Sequence, residues 1–187
     1  MNNLNAHLAI GATVLAALFT IAPEAVAEER VCRGTIGAVK LDNIRVPDGG
    51  SCTLNGTRAN GSVVVGTGAS LTATAVRING NVQAEGARSV QVRGDSFVGG
   101  SVQIVQGRAA TIKRVSIIGD LLFDENNRFL EAIGNRIGGN LLAFENTGGV
   151  SIVGNVIDGN LQCKGNAPAP TGGGNQASSK QDQCKKL

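Results

Sequence analysis

The sequence predicts an all-β, single-domain fold: a parallel β-helix, a three-sided and right-handed solenoid with coils of 19–20 residues and ends clamped by disulfides. Three observations carry this. A glycine recurs as Gly61, Gly80, Gly100, Gly119, Gly139 and Gly159, at intervals of 19, 20, 19, 20 and 20 residues. A small polar residue follows each glycine, and apolar residues stand two and four places after it, from Val63 and Val65 to Leu161 and Cys163. The composition is rich in glycine (27) and has no Trp or Tyr, which suits tight corners and narrow stacked interiors. Nothing after residue 27 offers a helix for a βαβ alternative.

Each unit holds three short pieces with period-2 alternation, the signature of strands with one buried face. The glycine leads the first. The second lies 10 to 12 residues later, as Cys52-x-Leu54, Leu71-x-Ala73, Val90-x-Val92 and Ala110-x-Ile112. It drifts in later units, where Phe129-Leu130 and Val150-x-Ile152 do not share one register. The third ends two residues before the next glycine, as in Val76-x-Ile78 and Val115-x-Ile117. Three strands and three corners in so few residues make one turn of a β-helix. A coil cannot bury its own inner face, so like residues must stack in columns through neighbouring coils. The glycine column requires either φ > 0 or a close approach to the next coil. The polar column beside it is expected to hydrogen-bond along the stack, as is a second ladder, Asn126, Asn146 and Asn166.

Four segments follow in order. Residues 1–27 read as a secretory signal, with an apolar run from Leu8 to Ala22 and a small-x-small cleavage site at Ala25-Val26-Ala27. Its leading MNNLNAH lacks the usual Lys or Arg. The residues before Cys32 (Glu29-Arg30-Val31) do not form a lipoprotein signal. Residues 28–41 are an N-terminal cap segment. The β-helix spans 42–165, because Asp42 fills the glycine slot, Asn43 the polar slot, and Ile44 and Val46 the apolar slots. Residues 166–187 form a C-terminal loop and tail cap, folded back over the end of the rod. The expected location is the periplasm or the exterior, with no membrane span in the mature chain.

Cleavage would remove His7, the only histidine. A mature chain without His has no Ser–His or Cys–His nucleophile and no His-based metal site. Four cysteines, Cys32, Cys52, Cys163 and Cys184, remain in an oxidising compartment. They allow three connectivities. Two lie at each end of the array, which favours Cys32–Cys52 and Cys163–Cys184, each closing a loop of ~20 residues worth about 3 kcal/mol. Zinc would need all four thiolates together, and the array holds them apart. We expect no metal and no cofactor.

The net charge of +3 is too small to argue for nucleic acid, and no basic run is interleaved with aromatics. Two groups remain as candidate chemistry. One is Asp124-Glu125 with Glu145: Glu125 and Glu145 place carboxylates in one slot of consecutive coils, the spacing a retaining glycosidase uses. A calcium site and a solvated corner are the alternatives. Arg58, Arg77 and Arg136 all stand three residues before a glycine, and Arg58 with Arg77 would grip an anionic glycan or phosphate. Phe97 and Ser116 break this stripe. Arg88 and Arg108 share a separate slot. Thr72-x-Thr74 alone does not make the repeated threonine face of an ice-binding surface.

The steps Asn60-Gly61-Ser62-Val63, Asn79-Gly80-Asn81-Val82 and Asp158-Gly159-Asn160-Leu161 resemble exported bacterial β-helix proteins of unknown function. They resemble the bactofilins more distantly. Those are cytoskeletal proteins whose β-helices join end to end. The resemblance implies the fold over residues 42–163 and says little about activity. A signal segment and disulfide-capped ends set this chain apart from filament formers. The expectation is an exported, non-enzymatic structural or binding protein of the bacterial envelope or exterior, presenting a rigid lateral face to polysaccharide or to another protein. A glycan-binding module and a carbohydrate-active enzyme are the alternatives.

Overall fold

The computed structural model describes residues 28–187, so the expected signal segment, 1–27, lies outside the described residues. The described chain is all-β, and every strand pairing in it is parallel. The glycine-led strands form a nine-stranded first face, from Glu29–Val31 to Ser179–Asp182. Eight steps of about 4.8 Å make a rod roughly 38 Å long. The second and third strands of the coils belong to one thirteen-stranded sheet. Two strands, Ser89–Val98 and Ala109–Ile117, run unbroken through the corner and join the two faces. Between Arg93 and Ser96 the register shifts by one residue, and Gly94 and Asp95 take left-handed conformations there (φ 72° and 57°).

The core is a set of columns. Ile44, Val63, Val82, Val102, Leu121, Leu141 and Leu161 are in register on the first face, and each is fully buried or nearly so. The second and third faces meet them with Leu54, Leu71, Val90, Ile112 and Leu130, and with Ile78, Val98, Ile117, Ile137 and Ile157. Phe123, the largest side chain in the core, is wholly buried.

Three features differ from the sequence reading. The second strands do not drift: Ala110 pairs with Leu130 and Leu130 with Val150, so the column continues. The corner before Leu130 holds one more residue than the corner before Ala110, which shifted the apparent register and left Phe129 half exposed. The ladder also extends past residues 42–165 at both ends. Residues 28–41 contribute strands that pair with the next coil on all three faces. Thr171–Gly173 and Ser179–Asp182 continue the second and first faces, so residues 166–182 trace a further coil. Only residues 183–187 turn over the end, where Leu187 is buried.

The glycine column is set by close approach. None of the six recurring glycines has positive φ. A Cβ on Gly80 would lie 2.7 Å from Gly61 O, and one on Gly159 would lie 2.6 Å from Asn140 Oδ1. The space is taken because each polar residue turns its oxygen toward the next coil. The Asn81 N–H donates to Ser62 Oγ (3.0 Å), the Ser101 N–H to Asn81 Oδ1 (2.8 Å) and the Asn160 N–H to Asn140 Oδ1 (2.9 Å). The glycine and polar columns are one device.

Candidate functional site

The cysteines pair as Cys32–Cys52 and Cys163–Cys184, with Cα separations of 5.6 and 5.3 Å. Cys163 ends the first-face column that runs from Val46 through Val65, Ala84, Ile104, Phe123 and Ala143. The Cys32 N–H donates to Arg45 O, which places Cys32 at the opposite end of the same column. The first bridge ties the first coil to the next through the core, and the second ties the end turn 183–187 back to the coil of Cys163.

Asn126, Asn146 and Asn166 form the expected ladder and are buried. Asn146 Oδ1 accepts from both the backbone N–H (2.9 Å) and Nδ2 (3.0 Å) of Asn126, while its own Nδ2 donates to Phe123 O (3.0 Å) and Asn166 Oδ1 (2.8 Å). Gln183 closes the ladder by accepting from the Asn166 backbone N–H and donating to its carbonyl. Asn135, Asn155 and Asn175 build a second ladder of the same kind at the corner leading into the third face. The sequence reading missed it, although its asparagines also recur every 20 residues. No buried side-chain polar atom lacks a partner among the described residues, so both ladders are complete structural elements.

The basic group lies on the third face. Arg58 and Arg77 are register partners, and Arg77 is followed by Phe97, Ser116 and Arg136. Arg136 is thus separated from the other two by two intervening coils. Lys40 is the residue the sequence reading did not find: it pairs with Arg58 and extends the pair to three consecutive cations. One fewer residue between Lys40 and its polar slot hid the match. Lys40, Arg58 and Arg77 line a shallow concavity together with Asn60 and Asn79. The Arg77 guanidinium sits 4.2 Å from the Phe97 ring centroid, a cation–π contact that orients it. Like charges directly opposite each other on a sheet are destabilising by a few tenths to about 1 kcal/mol per pair. The column thus costs stability and gathers positive potential.

The acidic group lies at the first face and its corner. Asp124 stands in register between Val105 and Phe144. Burial beside these side chains pushes its carboxyl above the ordinary range, with smaller contributions from the Glu125 and Glu145 charges. Glu125 and Glu145 occupy equivalent left-handed corner positions (φ 54° and 51°). Glu125 Oε2 accepts from Gln106 Nε2 at 2.9 Å, and the Glu145 carboxylate lies over Gly165. A concavity on this face, lined by Val64, Gln83, Glu85, Gln103 and Gln106 among others, does not reach the three carboxylates. Among the described residues no group of three or more His, Cys, Asp or Glu is arranged to hold a metal ion. No helix among them is long and apolar enough to cross a membrane.

In comparison with known proteins, no family model matches the chain, and neither a curated protein nor a solved structure is detectably similar to it.

Proposed function

We propose that the chain is an exported, non-enzymatic structural or binding protein of the bacterial envelope or exterior, and that it works through its sides and not its ends. The observation that carries this is the residue type in the terminal slots of the first-face column. Ile44 pairs with Arg30 at one end, and Leu161 pairs with Lys180 at the other. A charge in an inward slot of a terminal strand discourages strand-to-strand stacking. Filament growth by end joining is therefore disfavoured, while the lateral faces carry no such device. The test is co-sedimentation of the exported, oxidised protein with isolated bacterial envelopes. Pelleting only in their presence supports the proposal. Pelleting alone, or remaining in solution with envelopes, overturns it.

A glycan-binding module is the reading favoured by the Lys40–Arg58–Arg77 column. Three cations one strand spacing apart, beside the amides of Asn60 and Asn79, offer charge and hydrogen bonds to a carboxylate- or sulfate-bearing sugar. Arg58→Ala with Arg77→Ala should then remove glycan retention without lowering stability.

A further inference from the structure

The charge of the rod is sorted by face. Consider, in each coil, the residues from two places before the second strand to the end of the third. These stretches hold eleven of the seventeen Lys and Arg residues but only two carboxylates, Asp95 and Glu131. The first face, its corners and the cap hold the other eleven described carboxylates with six cations. A modest overall charge thus conceals two basic faces and one acidic face.

The basic faces also stack like charges in register. Arg93 is directly opposite Lys113. Arg88 and Arg108 stand one residue before the Ser89↔Ala109 pair. With Lys40↔Arg58 and Arg58↔Arg77, this makes four like-charge lateral pairs. The ion pair within these faces, Arg114 with Asp95, is exposed and long at 3.8 Å. Between the flanking cations of the second face the outward positions are Ser89, Gln91, Ala109 and Thr111, a flat strip with hydroxyl and amide groups. Arg93 Nε donates weakly to Thr74 Oγ1 (3.5 Å), which makes the strip continuous with the coils that carry Arg58 and Arg77.

We infer that the second and third faces form one docking surface for an acidic polysaccharide, laid along the rod axis across several coils. This rests on the glycan-binding reading above and extends it from a three-residue column to a polymer-length surface. Cations repeating once per coil, about 4.8 Å apart, match a stretched polymer with one charge per sugar better than they match a small anion, which needs converging donors. Single-stranded nucleic acid would call for exposed aromatics to stack its bases. Among the described residues these faces carry Phe97, covered by Arg77, and the lone Phe129. Such binding is electrostatic, so it weakens as salt shortens the screening length.

The experiment measures binding of the exported, oxidised protein to polygalacturonate and to dextran sulfate, with galacturonic acid, neutral dextran and double-stranded DNA as comparisons. The variants are Arg88→Gln/Arg93→Gln/Arg108→Gln/Lys113→Gln on the second face and Arg58→Ala/Arg77→Ala on the third. Lys164→Gln/Lys185→Gln/Lys186→Gln is the control away from both. We expect wild type to bind at least one acidic polymer, with negligible affinity for the monomer and for dextran. The second-face variant should lose about tenfold or more in affinity, and its melting temperature should hold or rise because like-charge pairs are removed. The control should bind as wild type. If the second-face variant binds normally while the third-face variant does not, the extended surface is wrong and the glycan reading stands. If wild type binds neither acidic polymer, both fall. Tighter binding to DNA than to either polysaccharide overturns the assignment of ligand class.

Discussion

Lys180 lies in register with Leu161, one strand beyond it, in the slot that buries Leu, Val or Ile in the seven preceding coils. Arg30 bears the same relation to Ile44 at the other end. An apolar column closed by a cation at each end cannot present the same surface to another copy that it presents to its own next coil. A charge in this slot disfavours continued stacking onto another copy.

The glycine column should tolerate no side chain. Gly80→Ala would put a methyl 2.7 Å from Gly61 O and still closer to Ser62 Oγ, so the coils must part. Thermal or urea unfolding should show a loss of about 2 kcal/mol. Gly37→Ala, which meets nothing within 4 Å, should stay within ~0.5 kcal/mol of wild type.

Asn146 serves four hydrogen bonds in a buried corner. Asn146→Ala removes all four bonds, each worth about 1 kcal/mol, and leaves the buried Asn126 N–H without a partner at a further cost of about 1–3 kcal/mol. A loss of at least ~3 kcal/mol is expected by chemical denaturation. Asn60→Ala, at an exposed position, should change stability little.

Asp124 gives the pH dependence a sign. Its carboxyl holds a proton to higher pH in the folded chain than in the unfolded one, because burial and then Glu125 and Glu145 oppose its charge. The folded state therefore binds more protons in the window from the ordinary carboxylate value up to the raised one, and stability falls as pH rises through it. Asp124→Asn should melt higher than wild type at neutral pH. The difference should shrink as acid protonates Asp124. An advantage that persists unchanged at low pH contradicts this.

Val102 is fully buried between Val82 and Leu121. Val102→Asp would place an unpaired charge in the column, and no coil has room to solvate it. Circular dichroism should show no cooperative unfolding transition. A soluble variant that still melts cooperatively contradicts the register.

Much of the fold was legible because a solenoid repeats one solution. The Val63-to-Leu161 column, the glycine spacing, the Asn126 ladder and both cysteine pairs could all be read from residue intervals. What was hidden follows from the ends. From the sequence the first and last coils read as caps, because Arg30 and Lys180 stand where the pattern requires apolar residues, so the charges at the ends also mask the repeat. Single-residue differences at corners hid the rest: one extra residue before Leu130 made the second strand seem to drift, and one fewer after Lys40 concealed its alignment with Arg58. The candidate site was less legible than the fold. Overall charge averages over faces, and the sorting of charge emerges only when residues 18 to 20 apart in sequence are laid side by side.

The most direct test of a rod that ends in charge and works through its sides is sedimentation velocity of the oxidised protein over a wide concentration range, beside Arg30→Val/Lys180→Leu. The expected result is a wild-type sedimentation coefficient that does not grow into a filament series, and a variant that lengthens with concentration. Wild-type filaments, or a variant that associates no more than wild type, would contradict it.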